Sequence, residues 1–240
     1  MIGLFTDYGC DGPYIGQVLA RILALAPAIP VINLFADAPA HNPRAAAYLL
    51  PAYTSGYPAG TVFVCVVDPA VGSGRHRPAI LDCDGRWFVG PDNGLFEIIR
   101  RRTRILREWQ IEWRPEDMAA SFHGRDLYAP VAARLAMGME VARSPLQPLR
   151  FAEWPDDLDE IIYIDRFGNT MSGMRASSIS PQSTLRVAGK TVAGGRTFAA
   201  VNEGEGVWYG NSNGLVEVAI NGGRADVAYG LRIGSRIEIG

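Results

Sequence analysis

Residues 61–77 read TVFVCVVDPAVGSGRHR, and this stretch decides how the first part of the chain folds. Its first seven residues are all apolar or β-branched, which is typical of a strand buried on both faces within a parallel α/β sheet. The run stops at Asp68 and Pro69, and a loop that contains Gly72 and Gly74 follows. Ligands of such sheets bind beyond the carboxyl ends of the strands. The sequence therefore predicts a ligand site at Asp68.

The segments around this strand alternate between strand-like and helix-like patterns. Strands are predicted at 2–5, 31–35, 79–83 and 87–89, and helices at 14–26, 44–53, 94–101 and 127–137. Strands that alternate with helices favour a mainly parallel sheet covered by helices. We therefore expect an α/β N-terminal domain over residues 1–142.

The character of the sequence changes after residue 142. Residues 143–158 contain three prolines and little periodicity, which predicts a linker. The remainder, 159–240, lacks a long helical pattern. Short strands separated by Gly and Asn turns are predicted there at 160–164, 184–187, 206–209, 215–220 and 236–239. Regular short strands of this kind favour a small all-β, barrel-like C-terminal domain.

Composition excludes several classes of function. The chain has 240 residues, 48% of them hydrophobic and 20% charged, and a formal net charge of −2. No global positive field attracts nucleic acid or anionic membranes. The most apolar long segment, 22–35, is interrupted by two prolines and is too short to span a bilayer. We expect neither a nucleic-acid nor a membrane partner, and no signal peptide is recognisable.

The three cysteines form no CxxC pair and indicate reduced thiols in a cytoplasmic protein. They lie at Cys10, Cys65 and Cys83. The residue pattern shows no metal-ligand cluster, so no metal site is predicted.

Asp7 follows the first predicted strand, in FTDYGCDGPYIG (5–16). An ionised carboxylate offers two acceptor oxygens, which match the vicinal hydroxyls of a ribose. The neighbouring glycines let the backbone approach a ligand closely. The spacing is not that of the dinucleotide-binding GxGxxG motif. A turn or helix-capping role for Asp7 stays open at this point.

Other polar residues at the ends of predicted elements also allow two interpretations. Asp68 and Arg75 belong either to a site or to a structural ion pair that steadies their loop. His76, between two arginines, is predicted to lie on the surface. His123, in FHGRD (122–126), precedes a helix and is either a structural or a functional residue.

Three further segments have ordinary interpretations when read alone. IDRFGNT (164–170) and YGNSNGLVEVA (209–219) are typical of hairpin turns. The arginines between 100 and 107 have no interleaved aromatic residues, so we predict a solvated face rather than a phosphate site.

Six motifs occur in order along almost the whole chain: TDYG, VVDPAVGSGR, VGPDNG, FHGRD, IDRFGN and NSNG. In this order and spacing they resemble the S-adenosyl-L-methionine (SAM) hydroxide adenosyltransferases, which are relatives of the fluorinase and chlorinase. The resemblance implies an α/β N-terminal domain, a small β-barrel C-terminal domain and a homotrimer. It also implies a site between the N-terminal domain of one subunit and the C-terminal domain of its neighbour.

The resemblance assigns roles to individual residues of the N-terminal domain. Asp7 matches the ribose-binding carboxylate of the family. Asp68, Arg75 and His123 match the catalytic trio that holds and polarises the attacking water.

For the C-terminal domain, the resemblance implies substrate-binding residues in two loops. Asp165 and Asn169 match positions that bind the methionine or adenine end of the substrate. Asn211 and Ser212 belong to the adenine-side loop. The chain departs from the family pattern after FGN, where it continues Thr170-Met171-Ser172-Gly173. It also has Ala70 where the family usually has Gly, a small change where the backbone φ is negative.

These residues predict hydrolysis of SAM to adenosine and L-methionine, with SAM as substrate and no cofactor. A halide-using enzyme of the same fold and a non-catalytic SAM or adenosine sensor are the alternatives. A metal-dependent phosphohydrolase is a further one, and it would be built from Asp7, Asp68, Asp92 and His123. Neutral hydrogen-bond donors in place of the charged trio would suit a halide, so Arg75 and His123 favour water as the nucleophile.

Overall fold

The apolar run at 61–67 forms the central strand of a seven-stranded sheet. In the computed structural model, which describes residues 1–240, β3 (Val62–Val66) is buried along its whole length. It lies between β1 (Ile2–Thr6) and β5 (Arg86–Pro91) and runs parallel to both. β1 in turn pairs in parallel with β2 (Val31–Phe35). The carboxyl ends of these four strands therefore meet at one edge of the sheet.

The other half of this sheet is antiparallel. β4 (Pro78–Cys83) pairs with β5 and with β6 (Leu106–Ile111), and β6 pairs with β7 (Arg143–Pro145), which completes the order β2-β1-β3-β5-β4-β6-β7. The α/β class is confirmed, with the parallel strands on the side that carries Asp7 and Asp68. β7 lies inside the predicted linker. A segment that contains proline can still form this strand, because β7 is at the edge of the sheet and pairs with a neighbour on one side only.

Four helices cover this sheet: α1 (Tyr14–Leu25), α2 (Pro43–Thr54), α3 (Glu97–Arg102) and α4 (Ala129–Ala136). α1 packs on α4, and α2 packs on α3. The start of α2 is capped by Asn42, whose side chain accepts a hydrogen bond from the Ala45 amide at 3.0 Å.

The two faces of the sheet bury different side chains. Ile2, Leu4 and Val64 are fully buried in one cluster with side chains of α1 and α4. Phe63 and Phe88 lie at alternate strand positions and stack with ring centroids 5.1 Å apart. Full burial of one such side chain contributes about 1.5–3 kcal/mol to folding. This core anchors the strand ends at which the site is built.

The prediction of a solvated arginine face is wrong for Arg100, which is buried. Its side chain is 1% exposed, donates to Asp92 Oδ1 at 2.7 Å and donates to Glu108 Oε1 at 2.5 Å. A buried guanidinium is tolerated because both carboxylates compensate its charge. The six-residue helix α3 is too short for its periodicity to show which arginine faces the sheet.

The second sheet consists of short strands, as the turn spacing predicts. They are β8 (Leu158–Ile164), β9 (Thr170–Arg175), β10 (Leu185–Val187), β11 (Lys190–Gly194), β12 (Gly206–Gly210), β13 (Leu215–Ile220) and β14 (Ile237–Ile239). Their order is β14-β10-β11-β12-β13-β9-β8, and a bridge between Glu160 and Arg236 links its two ends. The sheet is therefore nearly closed, and the barrel-like all-β prediction is confirmed.

The barrel has its own core, which includes the fully buried Leu185, Val187, Val216 and Val218. A single short helix, α5 (Ala225–Ala228), follows β13. The chain divides into two compact units, Met1–Phe151 and Ala152–Gly240. None of the helices is long and apolar enough to cross a membrane.

Candidate active site

A cavity of about 350 Å³ opens in the first unit beyond the carboxyl ends of β1 and β3. Its lining combines carboxylates, imidazoles and aromatic rings. The lining residues are Asp7, Tyr8, Tyr14, His41, Val66, Asp68, Val71, Ser121, Phe122, His123, Gly124 and Tyr128. Three residues predicted for the site, Asp7, Asp68 and His123, thus lie around one cavity.

Asp7 is held in place by one hydrogen bond from another loop. Its Oδ2 accepts from the His41 amide at 3.0 Å, and the backbone amide of Asp7 itself also interacts with the carboxylate. His41 adopts a left-handed backbone conformation, with φ 56°, to present this amide. Burial raises the pKa of the Asp7 carboxyl, and the His41 amide opposes this effect. Asp7 caps no helix, because α1 begins after Pro13.

Asp68 is the first polar side chain after β3, and its two oxygens differ in their contacts. Oδ1 accepts from the Ala70 amide at 3.1 Å and lies 3.1 Å from His76 Nδ1. Oδ2 has no partner in the chain. Asn93 fixes the strand end just before it, because Asn93 Nδ2 donates to the Val67 carbonyl at 2.8 Å. Asp68 is thus oriented with one oxygen available to a ligand.

The predicted pairing of Asp68 with Arg75 is not present in the chain, and His76 takes its place. His76 is partly buried, contrary to the prediction of a surface residue, whereas Arg75 is exposed and its guanidinium has no partner in the chain. The reason lies in the loop, in which Gly72 and Gly74 have φ of 77° and 72°. These turns bring residue 76, rather than residue 75, back to Asp68. The sequence signal for this contact is an Asp followed eight residues later by a His, with glycines between them.

Ala70, which replaces the usual Gly of the family pattern, fits this loop without backbone strain. The residues other than glycine that have positive φ are His41, Asp84 and Ala188, so Ala70 is outside the left-handed region. The departure at this position therefore leaves the Asp68 loop intact.

His123 stands immediately before a π-helical turn, Gly124–Tyr128, that leads into α4. Such turns are frequent at functional sites. Burial lowers the pKa of His123, although the charge of Asp68 acts in the opposite direction. No hydrogen bond occupies its ring within the chain. Gly124 is required beside it, because a Cβ there would collide with the Tyr8 hydroxyl. A neutral imidazole with a free nitrogen is suited to accept a proton.

Three aromatic rings form one wall of the cavity, and sequence patterns alone did not reveal them. The ring centroids of Tyr8, Tyr14 and Phe122 are 5.4 to 5.9 Å apart. Aromatic faces attract organic cations and stack on planar rings. The only sequence signal is that Tyr8 lies within TDYG, Phe122 begins FHGRD and Tyr14 follows TDYG closely.

In the second unit, Asp165 organises a turn at the end of β8. Its Oδ1 accepts from the amides of Phe167 and Asn169 at 2.8 and 2.9 Å, and its Oδ2 accepts from Asn169 Nδ2 at 3.0 Å. Both carboxylate oxygens thus bind atoms of the turn itself. The Asn169 Oδ1 has no partner in the chain, so this residue retains one free polar atom.

Asn211 also has a structural role in its loop. Its Oδ1 accepts from the amides of Asn213 and Leu215, each at 3.0 Å, and its Nδ2 donates to Glu217 at 3.0 Å. The buried Glu217 also accepts from the Tyr209 hydroxyl at 2.6 Å. This network presents Ser212 at the tip of the loop, where its hydroxyl has only a 3.5 Å contact with Asn213.

A second cavity, of about 470 Å³, lies in the barrel unit. It is lined by Phe167, Asn169, Phe198, Ile220, Gly222, Gly223 and Arg224. The aromatic side chains at its rim, Phe167 and Phe198, are 72% and 53% exposed. Of the residues predicted for this unit, Asn169 lines the cavity, whereas Asp165, Asn211 and Ser212 do not.

The four residues considered for a phosphohydrolase metal site are not brought together. Asp92 is buried and binds Arg100 and the Leu149 amide, away from the cavity that contains Asp7 and Asp68. No group of three or more His, Cys, Asp or Glu side chains is arranged to hold a metal ion.

The two units match the two domain models of one family along nearly their whole lengths. The SAM hydroxide adenosyltransferase N-terminal domain matches residues 2–144, and the C-terminal domain of that family matches residues 159–238. The chain belongs to the SAM hydroxide adenosyltransferase family. The resemblance carried by the six motifs is thereby confirmed.

Curated relatives within the SAM hydroxide adenosyltransferase family carry one name. A protein of Thermus thermophilus, named (R)-S-adenosyl-L-methionine hydrolase, is 36% identical over 98% of this chain and 97% of its own length. A protein of Salinispora tropica with the same name is 32% identical over 99% of this chain and 97% of its own length.

Solved structures share the fold. A conserved protein from Thermotoga maritima superposes with a TM-score of 0.87 at 28% identity, covering 100% of this chain and 99% of that one. A conserved hypothetical protein from Thermus thermophilus superposes with a TM-score of 0.78 at 33% identity, covering 99% and 98%.

Proposed function

We propose that this protein hydrolyses SAM to adenosine and L-methionine by attack of water at the ribose 5′ carbon. One observation carries the proposal: in a member of this family, Asp7, Asp68 and His123 line a single cavity. The names of the curated relatives agree with this activity. SAM is the substrate, and the reaction needs no added cofactor.

The substrate is oriented by groups with complementary chemistry. Asp7 accepts hydrogen bonds from the ribose hydroxyls, since it lines the cavity and no side chain of the protein pairs with its carboxylate. The aromatic wall of Tyr8, Tyr14 and Phe122 lies beside the cationic sulfonium or the adenine ring. Holding the 5′ carbon in line with the water lowers the activation free energy by at most about 7–11 kcal/mol.

The chemical step forms one bond and breaks one. The water oxygen bonds to the 5′ carbon while the bond from that carbon to sulfur breaks, and its electron pair leaves with neutral methionine. His123 accepts one proton of the water, because burial keeps its imidazole neutral and its ring has no partner in the chain. The other hydrogen stays on the oxygen as the 5′-hydroxyl of adenosine, and it donates a hydrogen bond to Asp68 Oδ2, which orients the water.

Arg75 supplies positive charge to the developing hydroxide in this scheme. Its guanidinium is exposed and unpaired, and Val71 of the same loop lines the cavity. The side chain can therefore turn toward a bound substrate without breaking another contact. Hydroxide that meets a sulfonium cancels charge, so a cavity that excludes water favours the transition state over the separated ions.

Chromatographic turnover assays test this function directly. We expect adenosine and methionine in equal amounts, without dependence on chloride and without inhibition by a chelator. In ¹⁸O-labelled water, the label should enter the adenosine 5′-hydroxyl and not methionine. A chlorinated nucleoside would establish the halide-using alternative, and binding of SAM without turnover would establish the sensor.

We also propose a cytoplasmic homotrimer whose sites combine the Asp7 cavity of one subunit with the Asn169 cavity of a neighbour. Its support is the family membership, the unpaired cysteines and the exposed aromatic rim of the barrel cavity. Mixed trimers of Asp7→Ala and Asn169→Ala chains should regain activity, because some of their sites combine two intact halves. Trimers that form but stay as inactive as either parent would exclude a shared site, and light scattering measures the assembly.

A further inference from the structure

The proposed mechanism does not use the imidazole of His76, which contacts Asp68 of the cavity. His76 is not among the residues that line the cavity, and 21% of its side chain is exposed. Its Nδ1 is 3.1 Å from Asp68 Oδ1, while the Asp68 side chain is only 5% exposed. An ionised carboxylate is only an acceptor, so His76 Nδ1 carries the hydrogen of this bond.

We infer that His76 is a positioning residue that aims the free oxygen of Asp68 at the attacking water. The inference rests on the proposed function, since it names the group that makes Asp68 effective in that reaction. A carboxylate held at neither oxygen rotates freely about its terminal bond. With Oδ1 held by the Ala70 amide and His76, the only oxygen left for the water is Oδ2.

The same bond closes the loop that carries Arg75. Within that loop, the Ser73 amide donates to the Ala70 carbonyl at 3.0 Å, and the Arg75 amide donates to Ser73 Oγ at 3.2 Å. Residues 71–75 are exposed, and Gly72 lies against the backbone of Ala120. His76 therefore orders both partners of the water, Asp68 directly and Arg75 through the backbone. Preorganised groups of this kind lower the barrier because they need no rearrangement during reaction.

A matched pair of variants separates this role from packing. In His76→Asn the amide nitrogen occupies the place of Nδ1 and keeps a donor, whereas His76→Leu has the same branched shape without a donor. A hydrogen bond to a charged group corresponds to about a ten- to hundredfold change. We expect kcat for SAM to fall by that factor in His76→Leu, with KM within threefold, and to stay within threefold in His76→Asn. Arg77→Leu, at the exposed neighbouring position, is the control and should retain wild-type kcat.

Equal losses in His76→Leu and His76→Asn, or wild-type kcat in His76→Leu, would overturn the inference. A loss that appears only in KM would do the same, because it would mean that His76 affects substrate binding.

A second measurement is independent of turnover. The chain has only three histidines, so single His→Asn variants assign their ¹⁵N resonances. We expect neutral His76 to be in the Nδ1–H form in the wild type and to lose this preference in Asp68→Ala. Absence of the Nδ1–H form in the wild type would overturn the inference even where SAM is hydrolysed. An intact Nδ1–H form in a wild-type protein without turnover would instead refute the proposed function, and with it the role toward water, while the hydrogen bond from His76 to Asp68 would stand.

Discussion

The loops at Asp68 and Asp165 look alike in sequence but differ in how they use their carboxylates. Each Asp follows a strand and precedes a glycine-containing turn. Asp165 gives both oxygens to amides and an amide side chain of its own turn. Asp68 gives one oxygen to its loop and keeps Oδ2 free. The two loops therefore differ in the number of carboxylate oxygens that they leave without a partner in the chain.

Loop geometry explains this difference. The turn at Asp165 is tight, and Gly168 at φ 84° places the Asn169 amide and side chain within reach of the carboxylate. The loop at Asp68 is longer and returns to it at His76. Its only backbone donor to the carboxylate is Ala70, so Oδ2 stays without a partner in the chain, and Asp68 lines the cavity. The following predictions test this contrast, from the largest expected effect to the smallest.

His123→Ala should have the largest effect on activity, because it removes the proposed proton acceptor from the cavity of the first unit. We expect kcat to fall about 10²–10⁴-fold with KM little changed, since loss of one acid–base group has this magnitude. Steady-state kinetics measure both constants. Near wild-type kcat in a folded variant would show that another group accepts the proton.

Asp165→Ala should destabilise the barrel unit rather than remove a chemical step. Losing a charged acceptor of several hydrogen bonds costs about 1.5–3 kcal/mol. We expect hydrogen exchange of peptide 165–175 to accelerate by about ten- to hundredfold. Asp159→Ala, at an exposed position of β8, is the control and should leave exchange unchanged. Unchanged exchange in Asp165→Ala would mean that the turn forms without this carboxylate. The structural role that distinguishes Asp165 from Asp68 would then be wrong.

Asp7→Ala tests whether a carboxylate that lines the cavity marks a binding residue. Because the ribose hydroxyls would lose a charged acceptor, adenosine affinity should fall at least about tenfold. Isothermal calorimetry measures this affinity. Equal affinities of wild type and variant would remove Asp7 from the ribose site.

The pH dependence of kcat should report His123. Burial lowers its pKa below the usual 6.5, so the imidazole is neutral at pH 7 and kcat should decline only as the pH falls below 6.5. His123→Ala should lack this decline. The same shift predicts a small loss of stability below pH 6.5, because the unfolded chain binds the proton more readily than the folded one. A decline that begins above pH 6.5 would contradict the assignment.

Arg75→Gln should have the smallest effect on stability, because the guanidinium has no partner in the chain. We expect the free energy of unfolding to change by less than about 0.5 kcal/mol, as for other exposed substitutions. Denaturant unfolding checks this. A larger loss of unfolding free energy would indicate that Arg75 stabilises its loop in solution. Arg75 would then have a structural role in the loop, as His76 has.

Much of the fold was predictable because it depends on local patterns. The continuous apolar run before Asp68 predicted a central parallel strand, and the regular short strands after residue 158 predicted the barrel-like unit. β6, β9 and β11 were missed, and in β9 and β11 the Gly, Ser and Thr residues hide the alternation typical of strands. β7 was hidden by proline in the same way.

The site was predictable to the extent that it lies at strand ends. Asp7, Asp68 and His123 follow or precede elements whose order places them at one edge of the sheet, and the cavity contains all three. The aromatic wall was not predictable, because aromatic residues are equally common in cores. Arg100 was misjudged for a related reason: a run of arginines does not show which of them meets a buried carboxylate.

The sequence by itself determined the fold class, the family and the strand ends at which the polar residues stand, because apolar runs, turn residues and motif order are local properties. Only the tertiary structure decided which atoms of those residues are free. His76 rather than Arg75 contacts Asp68, and both carboxylate oxygens of Asp165 accept hydrogen bonds from its own turn. The physical reason is that a hydrogen bond forms where backbone turns bring a donor within about 3 Å of an acceptor, and spacing along the chain does not fix that distance.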